Sequence, residues 1–152
     1  MKTITVTFTE EQARCVRDAV DLLDRLKLGQ TEEVWRSYER EAHKRYPNSK
    51  EYCEAREKAE QLLFELKMLL FPSDYGRNAS HGVGHPSLTK YDNRLYEIYK
   101  VFDHALWKCR NPNKDDDFCT SAGDPYLLNF SGDKRIPFKI EELDDTGTNC
   151  NI

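Results

Sequence analysis

No stretch of the 152-residue sequence approaches the roughly 20 consecutive apolar residues that a membrane-spanning helix requires. The start, Met1-Lys2-Thr3-Ile4-Thr5-Val6, also lacks an apolar run of signal-peptide length, so the expected setting is cytoplasmic, with no membrane partner. The five cysteines, Cys15, Cys53, Cys109, Cys119 and Cys150, are odd in number and form no close pair. That argues against a disulfide framework or a zinc knuckle and for reduced thiols. Positive charge is in short supply, with 23 Lys and Arg against 27 Asp and Glu and a net charge of -4. A general nucleic-acid coat is thereby excluded and no nucleic-acid polymer is expected as partner, while a local basic pocket stays open. No internal repeat is visible. Established catalytic and phosphate motifs are missing too. There is no Gly-Lys-Ser/Thr ending of a P-loop, no His-Glu-x-x-His, and no calcium-loop spacing around Asp115-Asp116-Asp117.

What the sequence does contain is periodicity. Residues 3–8 alternate, with Ile4, Val6 and Phe8 on one side and threonines on the other, as a half-buried strand should. Thr9 with Gln12 forms a capping box that opens a helix, whose broad stripe includes Val16, Val20 and Leu23 and which stops at Gly29. A second helix is predicted from Glu32 to Arg45. Its basic residues Arg36, Arg40, Lys44 and Arg45 are balanced by Glu32, Glu33, Glu39 and Glu41, which reads as an exposed mixed-charge helix. Asn48 and Glu51 open a third, to Leu70, in which Leu62, Leu63, Leu66, Leu69 and Leu70 crowd the C-terminal half; that half is expected to be the most buried helical segment. A fourth spans about Tyr91 to Cys109, with Leu95, Ile98, Phe102, Ala105 and Leu106 inward.

Residues 111–152 carry 4 basic and 9 acidic residues, so the acidity belongs to the tail. Within it, Tyr126–Phe130, the turn Ser131-Gly132-Asp133 and Ile136–Ile140 read as a hairpin, with Pro137 confining the second strand to an edge. A lone N-terminal strand needs partners for its backbone groups, and the only other strand-like segments lie at the C-terminus. The expected fold is therefore α+β, with about four helices packed on a small sheet joining the two chain ends. It forms a single domain over 1–152 with a frayed acidic tail at 141–152.

Between Phe71 and Ser87 neither period survives, a length at which a loop in a compact domain is usually functional or disordered. Gly76, Gly82 and Gly84 would let backbone N–H groups turn toward a ligand, and the loop delivers the chain to a helix N-terminus. The candidate ligand-binding set is Tyr75, Arg77, His81, Gly82, Gly84, His85, Lys90, Tyr91 and Arg94. The cations and backbone donors would hold phosphate, and Tyr75 or Tyr91 would stack on a base. Against this stands a plain surface loop whose glycines only permit turns. His81 and His85 also admit a metal-dependent hydrolase, with His43, His104, Asp74 or Asp92 completing the site, although loop spacing alone does not bring the rings together. Ser87-x-x-Lys90 matches a penicillin-enzyme pattern without the other signatures of that class, so Ser87 or Thr89 is better read as an N-cap. Cys109 or Cys119 with His104 is a still weaker nucleophile–base pair. No catalytic residue and no cofactor is assigned.

Two segments, Thr5–Ala13 running on to Leu26–Glu33, and Leu95–Trp107, resemble a family of small uncharacterised proteins encoded by bacteriophages and prophages. The resemblance covers about a third of the chain and transfers no binding residue. It implies a phage setting in the host cytoplasm, where small proteins without catalytic motifs act by binding. The favoured expectation is a non-enzymatic counter-defence protein that sequesters an anionic, nucleotide-derived immune signal. The alternatives are an inhibitor that blocks a host protein by direct contact, which would show a broad exposed apolar or acidic patch, and the small hydrolase already named. Trp35, Tyr38, Tyr96 and Tyr99 form an aromatic surplus that would suit a homo-oligomer as well as a core.

Overall fold

The computed structural model describes residues 4–72, 76, 79–113, 129–134 and 136–140. Five helices follow in order: α1 Glu10–Lys27, α2 Glu33–Ser37, α3 Glu39–Arg45, α4 Ser49–Leu70 and α5 Lys90–Arg110. There is no strand among the described residues, so the architecture is all-α and the expected α+β sheet does not form. The reason lies in what the alternating segments touch. Phe8 meets Phe102 edge-on with ring centroids 5.7 Å apart, and Phe138 meets His104 edge-on at 5.2 Å. Each chain end thus spends an aromatic side chain on α5 rather than a backbone ladder on the other end. Ile4 and Val6 are left exposed. Of the expected hairpin, the turn at 129–134 is present, while residues 126–128, 135 and the tail at 141–152 lie outside the described residues.

α1 and α5 form the central pair and run antiparallel. Arg17 midway along α1 reaches Asp103 in the second half of α5 at 3.3 Å, and Lys27 at the end of α1 reaches Asp92 in the first turn of α5 at 3.7 Å. Leu95, Val101 and Leu106 of α5 and Leu28 just beyond α1 are buried apolar side chains of this part of the molecule. The caps explain where both helices begin. Thr9 and Gln12 form the expected capping box, and Thr89 with Asp92 forms another at α5, which settles the cap on Thr89 rather than Ser87. Loss of the Thr89 hydroxyl strands an N–H at a helix end, so Thr89→Ala should lower stability by about 1 kcal/mol in a denaturant titration. After α1, Gly29 adopts φ +84 and Gln30 N–H donates to the Arg25 carbonyl at 2.9 Å, a glycine-dependent helix stop.

The predicted second helix is broken at Tyr38, where φ -105 and ψ 4 turn the ladder over and divide it into α2 and α3. Ser37 donates to the Val34 carbonyl at 2.8 Å at that break. α4 is fastened to the turn at Thr31 and to α3. Thr31 Oγ1 donates to the Leu63 carbonyl at 3.2 Å, and Tyr52 stacks on His43 at 4.0 Å while its hydroxyl donates to Glu39 at 3.0 Å. Of its 22 residues only Tyr52 and Lys67 are buried. The expectation that its leucine-rich end is deeply buried is therefore overturned: Leu62, Leu66, Leu69 and Leu70 are exposed.

Candidate functional site

From residue 79 onward, the glycine-bearing loop is held through main-chain groups. His81 N–H donates to the Leu28 carbonyl at 2.9 Å, and the fully buried Lys67 of α4 sends its ammonium to the Ala79 carbonyl. These two bonds set the loop between the end of α1 and the end of α4. Beyond them the chain makes two turns, closed by His85 N–H to the Gly82 carbonyl at 3.1 Å and Leu88 N–H to the His85 carbonyl at 2.9 Å, before α5 begins.

Among the nine candidate residues, the structure brings two groups together. In the first, the His81 and His85 rings stack with centroids 3.9 Å apart, and the Ser87 hydroxyl lies 2.8 Å from His85 Nδ1 and 3.1 Å from His81 Nε2. Among the described residues no third His, Cys, Asp or Glu joins them in a group able to hold a metal, and Asp74 lies outside those residues. Among the described residues no acid converges on the two histidines, and the Ser-x-x-Lys pattern does not close because Lys90 bonds Asp133 instead.

The second group is a fork. Lys90 Nζ and Arg94 Nε, one turn apart on α5, converge on the carboxylate of Asp133, at 2.6 and 2.5 Å. The Arg94 and Lys90 bonds hold the Asp133 carboxyl down at about 2. Asp133 is presented by a self-supporting turn. Asn129 Oδ1 accepts from Gly132 N–H at 2.9 Å, Ser131 Oγ accepts from Asp133 N–H at 3.0 Å, and Gly132 takes φ +68. Glu97 anchors that turn by accepting from both the N–H and the hydroxyl of Ser131, at 2.7 and 2.6 Å. On its other side, Phe130 lies against Gly84, whose φ is +76 and whose missing Cβ would fall 2.5 Å from the ring.

The remaining candidates are apart from these groups or undescribed. Gly82 has open space around it and no positive φ, so nothing there requires glycine. Tyr91 is exposed. Tyr75 and Arg77 lie outside the described residues. The N-terminus of α5, expected to receive an anion, is closed from within. Asp92 accepts from Thr89 N–H and hydroxyl at 2.8 Å each, and despite the burial that opposes its charge, those bonds and Lys27 keep its carboxyl below the usual range.

Sequence reasoning missed Asp133, Ser131 and Glu97, which are polar residues from two distant segments; the turn was legible but not its target. It also missed an open cleft of about 410 Å³ between α2 and α4, lined by Trp35, Arg36, Glu39, Arg56, Glu60 and Phe64. Its cations are already spoken for, Arg36 by Glu33 at 2.5 Å and Arg56 by Glu60 at 2.7 Å. Among the described residues no helix is long and apolar enough to cross a membrane. No protein-family model, characterised protein or solved structure matches the chain.

Proposed function

We propose that the protein is a non-catalytic binder of an anionic, nucleotide-like ligand, of the kind a phage-type counter-defence protein sequesters. The observation that carries the reading is the fork: two cations at adjacent turns of one helix, close enough to grip a single pair of oxygens. A carboxylate on that fork has the charge and the oxygen geometry of a phosphate edge, and Phe130 of the same turn, seated on Gly84, would stand in for a base. The turn at 129–133 thus offers the chemical outline of a nucleotide from within the chain. A ligand must displace it, and the apparent affinity falls by the fraction of time the turn is seated.

The test is calorimetric and thermal-shift titration of the native chain and of Asp133→Ala with cyclic and ADP-ribose-derived nucleotides. Asp133→Ala should bind at least one member about tenfold more tightly than the native chain, more weakly as salt rises, and lose that binding when Arg94→Ala is added. Silence of both proteins across the panel would overturn the reading.

A further inference from the structure

One face of α4, half-buried at its alanines and exposed at its leucines, has a regular spacing. Ala55, Ala59, Leu62, Leu66 and Leu69 follow one another at alternating steps of four and three residues, the seam that packs knobs into holes in a coiled coil. Within this seam Leu62 is 56% exposed, Leu66 46% and Leu69 81%, while Leu70 beside it is 60% exposed. Scattered surface leucines are ordinary, but four adjoining ones along a helix that buries so little of itself are not.

We infer that this seam is covered by a second copy of the same chain, packed antiparallel along α4. Complementarity selects that occupant and that direction. Lys58 and Glu65 flank the seam on one edge, seven residues apart and opposite in charge. In an antiparallel pair with the two-fold axis between positions 60 and 61, Lys58 stands beside Glu65 of the partner subunit, and symmetry repeats the contact. The same register sets Ala59 against Leu62 of the partner subunit, and Ala55 against Leu66 of the partner subunit, so every small residue meets a large one. The axis then lies within about one residue of the midpoint of Ser49–Leu70, and the helices overlap along nearly their full length, roughly 33 Å. Shifting the pair by one heptad either way sets Glu65 against Glu65 or Lys58 against Lys58. A parallel pair sets Lys58 and Glu65 against leucines, Leu63 and Leu70, and matches neither charge.

Sedimentation of the full chain over a range of concentrations tests the inference. The expected species has twice the 17.8 kDa of one chain. Leu66→Asp should make it a monomer. Because that change alone could be blamed on folding, a charge swap provides the second measurement. Lys58→Glu and Glu65→Lys should each weaken the dimer by about tenfold, and the double variant should recover most of the loss, with helix content by circular dichroism unchanged throughout. A monomer at every concentration, a dimer that survives Leu66→Asp, or a double variant no tighter than the single ones would overturn it.

Discussion

Asp24→Asn is expected to stabilise the protein at pH 8 and to leave it nearly unchanged at pH 4. Asp24 sits near the end of α1 with 5% of its surface exposed. Burial first, and then the neighbouring charges of Asp21 and Asp92, push its carboxyl up to about 6, with Arg25 pulling the other way. An acid whose pKa is higher in the folded than in the unfolded chain binds its proton more tightly when folded. Its penalty is absent below about pH 3.8, grows as pH rises toward 6, and is complete above that. Two pH units correspond to at most about 3 kcal/mol, and the amide has its own polar groups to satisfy, so a gain of about 1–2 kcal/mol at pH 8 is expected. For a chain of this length that is about 3–8 °C in midpoint by thermal melting. Equal gains at pH 4 and pH 8 would show that ionisation of Asp24 has nothing to do with it.

The second large effect is at Gly84. A β-carbon there meets two independent obstacles. The backbone φ of +76 costs an L-residue about 1–2 kcal/mol, and the Phe130 ring would lie 2.5 Å away. Gly84→Ala should therefore lower stability by about 2 kcal/mol or more in urea. The two contributions separate in a double-mutant cycle, because Phe130→Ala removes the clash and leaves the backbone cost. The pair should be less damaging than the sum of the single changes, with a coupling of about 1 kcal/mol. Additive losses would mean that the ring does not rest on the loop. Since Phe130 and Asp133 belong to one turn, displacing the ring should also loosen the grip on Lys90 and Arg94.

Much of the helical frame could be read from the sequence, because helix ends are written in single residues. Thr9 with Gln12, Asn48, and Gly29 each carry a local hydrogen-bonding reason that no distant contact overrides. The sheet failed for the opposite reason. Alternation at 4–8 and 136–140 reports that one side of an extended segment is apolar, not what it meets; here Phe8 and Phe138 meet α5, while Ile4 and Val6 stay exposed. The leucines of α4 misled in the same way: density of apolar residues shows that a face wants covering without saying whether the same chain covers it. At the candidate site, Lys90 and Arg94 were legible as cations near the loop. Their partner was not, because Asp133 lies 39 residues from Arg94 and nothing local marks it as an anion's stand-in.

The two fasteners of the loop address only peptide groups: Lys67 takes the carbonyl of Ala79, and the amide of His81 finds that of Leu28. Every amino acid has a carbonyl, and all but proline have the amide, so neither anchorage depends on the identity of the residue it holds. At these two positions the side chains can accordingly change over evolutionary time without loss of either bond, much as interchangeable tools share one handle.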